Sequence, residues 1–218
     1  MLRRWVLANG VGELLGLGLG ALASLPLQMR LESALPTVAA ALVAAVVFAV
    51  LEGAIVGGLQ WRVLRERAPS ISARAWVGAT MLGGLIAWLA VSLPFALMPD
   101  DSAAAEATPE PPLVLQLALM ALAGLAAGPV LGGTQALVLR RVTDRPWSWV
   151  WANARAWAVG LPIIQLAAGG MPAGTPAAFA VAAAAAALFV AGCAVGRIHG
   201  PTLVRLTEDQ VEATVAAA

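Results

Sequence analysis

Three stretches of the chain, residues 75–99, 111–139 and 156–196, carry no charged residue. A helix that spans a bilayer needs about 20 consecutive apolar residues, and each stretch exceeds that. As one helix the last would reach roughly 60 Å, about twice the hydrocarbon core, so it must fold back on itself. GGMPAGTP, residues 169–176, supplies the turn. Two further apolar stretches precede these, and the pattern predicts six helices at about residues 5–25, 36–64, 75–97, 112–139, 148–168 and 176–198. Pro26 to Leu35 reads as a short connection, and PDDSAAAEATPEPP (99–112) as a solvated acidic loop. The expected fold class is all-α: an integral membrane bundle of six transmembrane helices in a single domain, residues 1–218.

The polar positions inside this pattern repeat. Gly53 to Arg65 reads GAIVGGLQWRVLR, and Gly128 to Arg140 reads GPVLGGTQALVLR, with three glycines, the Gln, the Val-Leu and the Arg in register. A third copy from Gly192, GCAVGRIHGPTLVR, keeps Gly192 and Gly196, has His199 in place of Gln and brings Arg205 one position late. Each even-numbered helix opens on a proline (Pro36, Pro112, Pro176), a residue suited to a first turn where its missing N–H would be unpaired anyway. Each odd-numbered helix opens on a tryptophan motif, WVLAN at Trp5, WVGAT at Trp76 and WVWAN at Trp149. The chain therefore reads as three copies of a two-helix hairpin, over about residues 1–67, 74–145 and 147–206.

Composition agrees: 61% of residues are hydrophobic and 11% charged, against about 25% charged in a soluble domain. A net charge of +1 argues neither for nor against nucleic acid, and where the charges sit matters more; no nucleic-acid partner is expected. All 13 basic residues are arginine, a bias expected of a GC-rich bacterial genome. Eleven of the 13 lie before helix 1, between helices 2 and 3, between helices 4 and 5, or at the end of helix 6; only Arg30 and Arg155 do not. Positive charge marks the cytoplasmic side, so both termini are expected in the cytoplasm of a bacterial inner membrane. Trp5, Trp61, Trp76, Trp147, Trp149 and Trp151 fall at that same boundary and read as an interfacial aromatic belt. Arg3, Arg4 and the apolar run after them imitate a signal peptide. Asn9, Glu13 and the recurrence of the Trp5 motif deeper in the chain make residues 5–25 a retained helix instead.

Candidate chemistry is confined to a few polar residues in apolar helices. Gly53, Gly57 and Gln60 share one helical stripe, as do Gly128, Gly132 and Gln135, and Gly192, Gly196 and His199. Glycines so spaced let helices pack closely, against one another or against a second membrane protein. Gln60, Gln135 and His199 lie at the depth of Asn9, Thr80 and Asn153, which predicts a six-membered polar layer. That layer serves either as interhelical hydrogen bonding or as a polar constriction in a conduit. Glu13 lies about two turns inside Trp5. Glu52 falls near mid-membrane, where an acid costs about 2.5–3.5 kcal/mol to insert and often marks an ion or proton path. The binding candidates are thus Glu52, Glu13, Gln60, Gln135, His199, Asn9 and Asn153. A single cysteine, Cys193, excludes an internal disulfide, and the chain lacks a zinc pattern, nucleophile elbow, HExxH or P-loop. No metal, cofactor or enzymatic activity is expected.

The repeated pair, a WVLAN-type odd helix with a GxxxGxxQWxVLR-type even helix, resembles a group of uncharacterised bacterial multi-pass membrane proteins. The resemblance spans most of the chain, departs in the last copy at His199 and Arg205, and implies a membrane fold without an activity or site. Mitochondrial carriers also have three two-helix repeats, but Pro26 and Pro94 lack the acidic and basic residues of their signature. Two functions remain open on these residues: binding or moving a small solute or proton within the bilayer, or a non-catalytic scaffold or accessory subunit of a larger membrane complex.

Overall fold

The computed structural model of the protein describes residues 1–97, 111–169 and 174–208. Those residues contain no strand and form α1 (Leu2–Leu31), α2 (Thr37–Leu64), α3 (Ala73–Leu97), α4 (Leu113–Leu139), α5 (Trp147–Gly169) and α6 (Ala177–Leu206). The acidic loop lies almost wholly outside the described residues, as does half of the GGMPAGTP turn. Pro36, Pro112 and Pro176 each cap an even helix from an extended conformation, with ψ of 141°, 143° and 135°.

Two helices are longer than the hydropathy pattern predicts. α1 continues through Pro26 to Leu31 and absorbs most of the expected connection, and α6 continues through Pro201 to Leu206. A proline removes one backbone hydrogen bond, but leaving the helix in an apolar medium would strip several groups of partners at once. Helix continuity therefore wins at both prolines. Five helices are long and apolar enough to cross a membrane: α1, α2, α3, α4 and α6. The sixth, α5, is not among them; its first turns carry three tryptophans, Asn153 and Arg155. Large apolar side chains cover the outer surface, among them Leu22, Met29, Val114, Leu122 and Phe179, all at least 60% exposed. On a water-soluble domain so large an apolar surface would be a liability; here it faces lipid, and the chain is a membrane-embedded protein.

Each helix packs on its neighbours in sequence, and α6 packs on α1, so the six close into a ring. Among the described residues no backbone approaches one across the ring. Sequential antiparallel packing puts the starts of α1, α3 and α5 and the ends of α2, α4 and α6 at one end of the ring. An Arg4–Glu66 ion pair at 2.7 Å ties the start of α1 to the loop after α2 at that end.

The repeated glycines set how closely neighbours approach. A Cβ on Gly53 would sit 2.6 Å from Met81 Cα in α3, one on Gly128 2.6 Å from Asn153 O in α5, and one on Gly192 2.5 Å from Asn9 O in α1. No side chain fits at these separations, so each even helix rests its glycine stripe on the following odd helix, with α6 resting on α1. The glycine next door in each of the first two copies is different: Gly58 and Gly133 meet nothing within 4 Å.

This difference separates two kinds of glycine in one motif. Gly128→Ala is expected to destabilise the α4–α5 pair by about 1–3 kcal/mol through overpacking. Gly133→Ala is expected to be neutral or stabilising by up to about 1 kcal/mol, since alanine is the better helix former. Thermal unfolding of the two variants in detergent, followed by circular dichroism, checks the contrast; equal effects would contradict it.

Candidate functional site

At the arginine-rich end the ring is filled. Trp5, Trp76 and Trp149, one from each odd helix, meet on its axis as a near-equilateral triangle with centroids 6.4, 6.1 and 6.3 Å apart. All three are at most 1% exposed. The expected aromatic belt therefore loses half its members to the interior, whereas Trp147 and Trp151 stay 60% and 68% exposed. Trp61 is half-buried, donating its indole N–H to Ile71 O at 3.1 Å. Ring size explains the change: a six-helix ring leaves an axial space, and three indoles are large enough to fill it.

An indole N–H buried this way needs an acceptor, and the polar layer supplies all three. Trp76 donates to Gln60 Oε1 at 3.2 Å, Trp149 to Gln135 Oε1 at 2.8 Å, and Trp5 to His199 Nδ1 at 3.0 Å. The amide nitrogens of the two glutamines point the other way around the ring. Gln60 donates to Asn9 Oδ1 at 2.9 Å, and Gln135 to Thr80 Oγ1 at 2.9 Å. Asn9, Thr80 and Asn153 each donate back to the carbonyl of the tryptophan one turn earlier. These six polar residues are all at most 4% exposed. Their spacing in the sequence places them at one depth. The structure brings them together as one hydrogen-bonded layer, and the indoles sealing it are what hydropathy and spacing do not reveal. His199 departs from the glutamine pattern in one respect. Accepting on Nδ1 leaves its remaining proton on Nε2, in the position where the other two copies carry an amide N–H.

Beyond the layer, away from the arginines, the ring opens into a cavity of about 450 Å³ lined by residues of all six helices. Small side chains make the space: Ala21, Gly84, Ala87, Ala123 and Ala127 face it where the other half presents tryptophan and glutamine. Among the described residues the only charged one in its wall is Glu52. Trp88, also in the wall, donates its indole N–H to Glu52 Oε2 at 2.5 Å, and Phe48 stands edge-to-face on Trp88 with centroids 4.5 Å apart. Trp157 adds a third aromatic side chain to the lining.

Glu13 is placed differently from Glu52. It is 2% exposed and lies in the α1–α6 seam, where a Cβ on Gly192 would touch its Cγ at 2.7 Å. Its Oε2 has no hydrogen-bond partner among the described residues. The two acids are electrostatic neighbours, and a Cβ on Gly16, one turn beyond Glu13, would sit 3.3 Å from Glu52 Cα. Of the candidates that the sequence suggests, then, Glu52 lies on the cavity; Gln60, Gln135, His199, Asn9 and Asn153 form the layer that closes it; Glu13 is buried between. Arg155 is exposed on the outer face of α5. Among the described residues no group of three His, Cys, Asp or Glu side chains could hold a metal ion.

Trp88 is the site residue that sequence spacing alone misses. Facing pairs in the α2–α3 hairpin fall by about one residue on α2 for each residue gained on α3, from Gly57 with Val77, through Gly53 with Met81, to Ala49 with Gly84. Continued by one turn, that register sets the Trp88 backbone opposite Ala45, and the long side chain reaches back along α2 to Phe48 and Glu52.

The layer yields a direct test of its own chemistry. Gln135→Leu removes the acceptor of Trp149 and the donor to Thr80, and an orphaned buried group costs about 1–3 kcal/mol; a loss in that range or above is expected. His199→Gln restores the residue of the other two copies, whose amide can accept from Trp5, and is expected to stay within about 1 kcal/mol of the native protein. Denaturant unfolding in mild detergent, read by tryptophan emission, distinguishes them. Comparable losses in both would contradict a layer organised around indole acceptors.

Comparison with protein-family models, with curated proteins and with solved structures found no match, so the site's geometry carries the functional reading that follows.

Proposed function

We propose that this protein is an integral membrane protein that binds a small lipophilic solute within the bilayer, in the cavity enclosed by its six helices. In this reading all six helices span a bacterial inner membrane as three copies of one hairpin, with both termini and the arginine-rich end cytoplasmic. The cavity carries the proposal. Its volume lies within the roughly 300–1,000 Å³ common for small-molecule sites, and a mostly apolar wall with very few polar groups is how such sites are usually built. The triangle of indoles and the hydrogen-bonded layer support binding over an open conduit, because they block the axis on the arginine side. Passage to that side would require the Trp76–Gln60, Trp149–Gln135 and Trp5–His199 bonds to part.

The three equivalent indole contacts and the arginine placement support the hairpin copies and the orientation. α5 is held on both sides, by α4 and α6. Membrane insertion of its less apolar start is helped by burial of Trp149 and Asn153 inside the ring.

Ala127 stands in the cavity wall on α4, and a larger side chain there occupies the cavity without touching the indole layer. Full-length protein in nanodiscs is expected to bind the neutral dye N-phenyl-1-naphthylamine saturably above empty nanodiscs. Ala127→Phe is expected to weaken that binding at least about tenfold, the equivalent of about 1.4 kcal/mol. Dye titration by fluorescence measures both. A native protein indistinguishable from empty nanodiscs, or a variant indistinguishable from the native protein, would overturn the cavity as a binding site.

A further inference from the structure

Resting on the cavity-binding reading above, we propose that the ligand is a lipophilic organic cation, with Glu52 as its counter-ion and Phe48, Trp88 and Trp157 as its aromatic walls. Glu52 has no counter-charge within the protein: the ion pair among the described residues is Arg4–Glu66, at the far end of the ring. The arginines are concentrated at that end, beyond the tryptophan triangle, and none lines the cavity. A carboxylate in an apolar wall is costly unless paired. One oxygen of Glu52 takes the Trp88 N–H, and its other oxygen makes no hydrogen bond among the described residues. It has one partner and room for another, at a surface the ligand reaches.

The aromatic neighbours narrow the choice of that partner. Cations are attracted to the faces of aromatic rings, tryptophan most strongly, and the attraction grows when water is excluded. Here two tryptophans and a phenylalanine share the wall with the Glu52 carboxylate. A neutral lipophile would use the apolar lining and leave Glu52 unpaired. An anion would meet Glu52 with no base in the wall to offset it. Only a cation with an apolar body uses the carboxylate, the rings and the aliphatic lining together. The indole N–H of Trp88 also fixes the carboxylate on the cavity side, so Trp88 acts on the ligand twice, as a ring and as the group that positions Glu52.

Tetraphenylphosphonium and tetraphenylborate provide the test, having nearly the same shape and opposite charge. Equilibrium dialysis against full-length protein in nanodiscs, corrected for empty nanodiscs, is expected to show saturable binding of the phosphonium and none of the borate. Glu52→Gln is expected to weaken phosphonium binding at least about tenfold, the range of a hydrogen-bonded charge. Trp88→Phe, which keeps a ring but removes the N–H, is expected to weaken it less than Glu52→Gln does. The two ions are compared on the native protein, so the charge preference is tested even if a variant fails to fold. Equal binding of the two ions, or phosphonium binding unchanged in Glu52→Gln, would overturn the cation proposal. If the neutral dye still binds and Ala127→Phe still excludes it, the cavity reading survives that result; if no probe binds saturably, both fall.

Discussion

A buried indole N–H must be given an acceptor, and that requirement organises this bundle. Three tryptophans fill the axis of the ring, and none can release its N–H to water. Each reaches to the adjacent even helix for an amide oxygen or an imidazole nitrogen. That contact fixes the register of α3 on α2, of α5 on α4 and of α1 on α6. Gln60 and Gln135, once committed as acceptors, turn their NH₂ groups to α1 and α3, so the register passes from one helix pair to the next. The α6–α1 contact is made by the same chemistry as the others, although its residues are 194 apart in the chain. Ring closure needs no separate device.

Glycine and alanine do the complementary work. In lipid, helices gain little from burying apolar surface against each other, so close packing and interhelical hydrogen bonds carry association. Gly53, Gly128 and Gly192 bring backbones together next to the polar layer, where the hydrogen bonds need the helices close. Further along, the inward positions hold alanine and glycine with nothing opposite them, and the axis stays open. One half of the ring is closed and the other hollow because its inward residues change from large and hydrogen-bonding to small and apolar.

Much of this was legible in the sequence, and the losses have identifiable causes. Helix number, the glycine stripes and the common depth of Asn9, Gln60, Thr80, Gln135, Asn153 and His199 follow from spacing, which a helix converts directly into position. Inside versus outside was harder. Trp5, Trp149 and Trp151 start or follow similar motifs at one boundary, yet Trp5 and Trp149 fill the axis while Trp151 is exposed. Residues two apart point to nearly opposite faces of a helix, and hydropathy assigns no facing to tryptophan. The ends of α1 and α6 were misplaced because proline stops helices in water more readily than in lipid. The cavity was invisible, since it is a property of six helices at once.

The unrepeated residues fall where this architecture allows them. In the glycine motif Glu52 aligns with Ala127 and Ala191. Ala127 lines the same cavity, so Glu52 occupies a position whose counterpart is an inward-facing small residue. Counting from the tryptophans, Glu13 aligns with Gly84 and Trp157, both in the cavity wall, while Glu13 itself is buried in the α1–α6 seam. The polar layer keeps nearly the same residues in all three copies because each copy has an indole to satisfy. The hollow half has no such obligation, and its positions vary from alanine to glutamate to tryptophan without loss of ring closure. The three sequence stretches thus agree where the ring is held shut and differ where it is hollow. A single acid beside Trp88 is the kind of change that gives an otherwise apolar cavity a chemical preference.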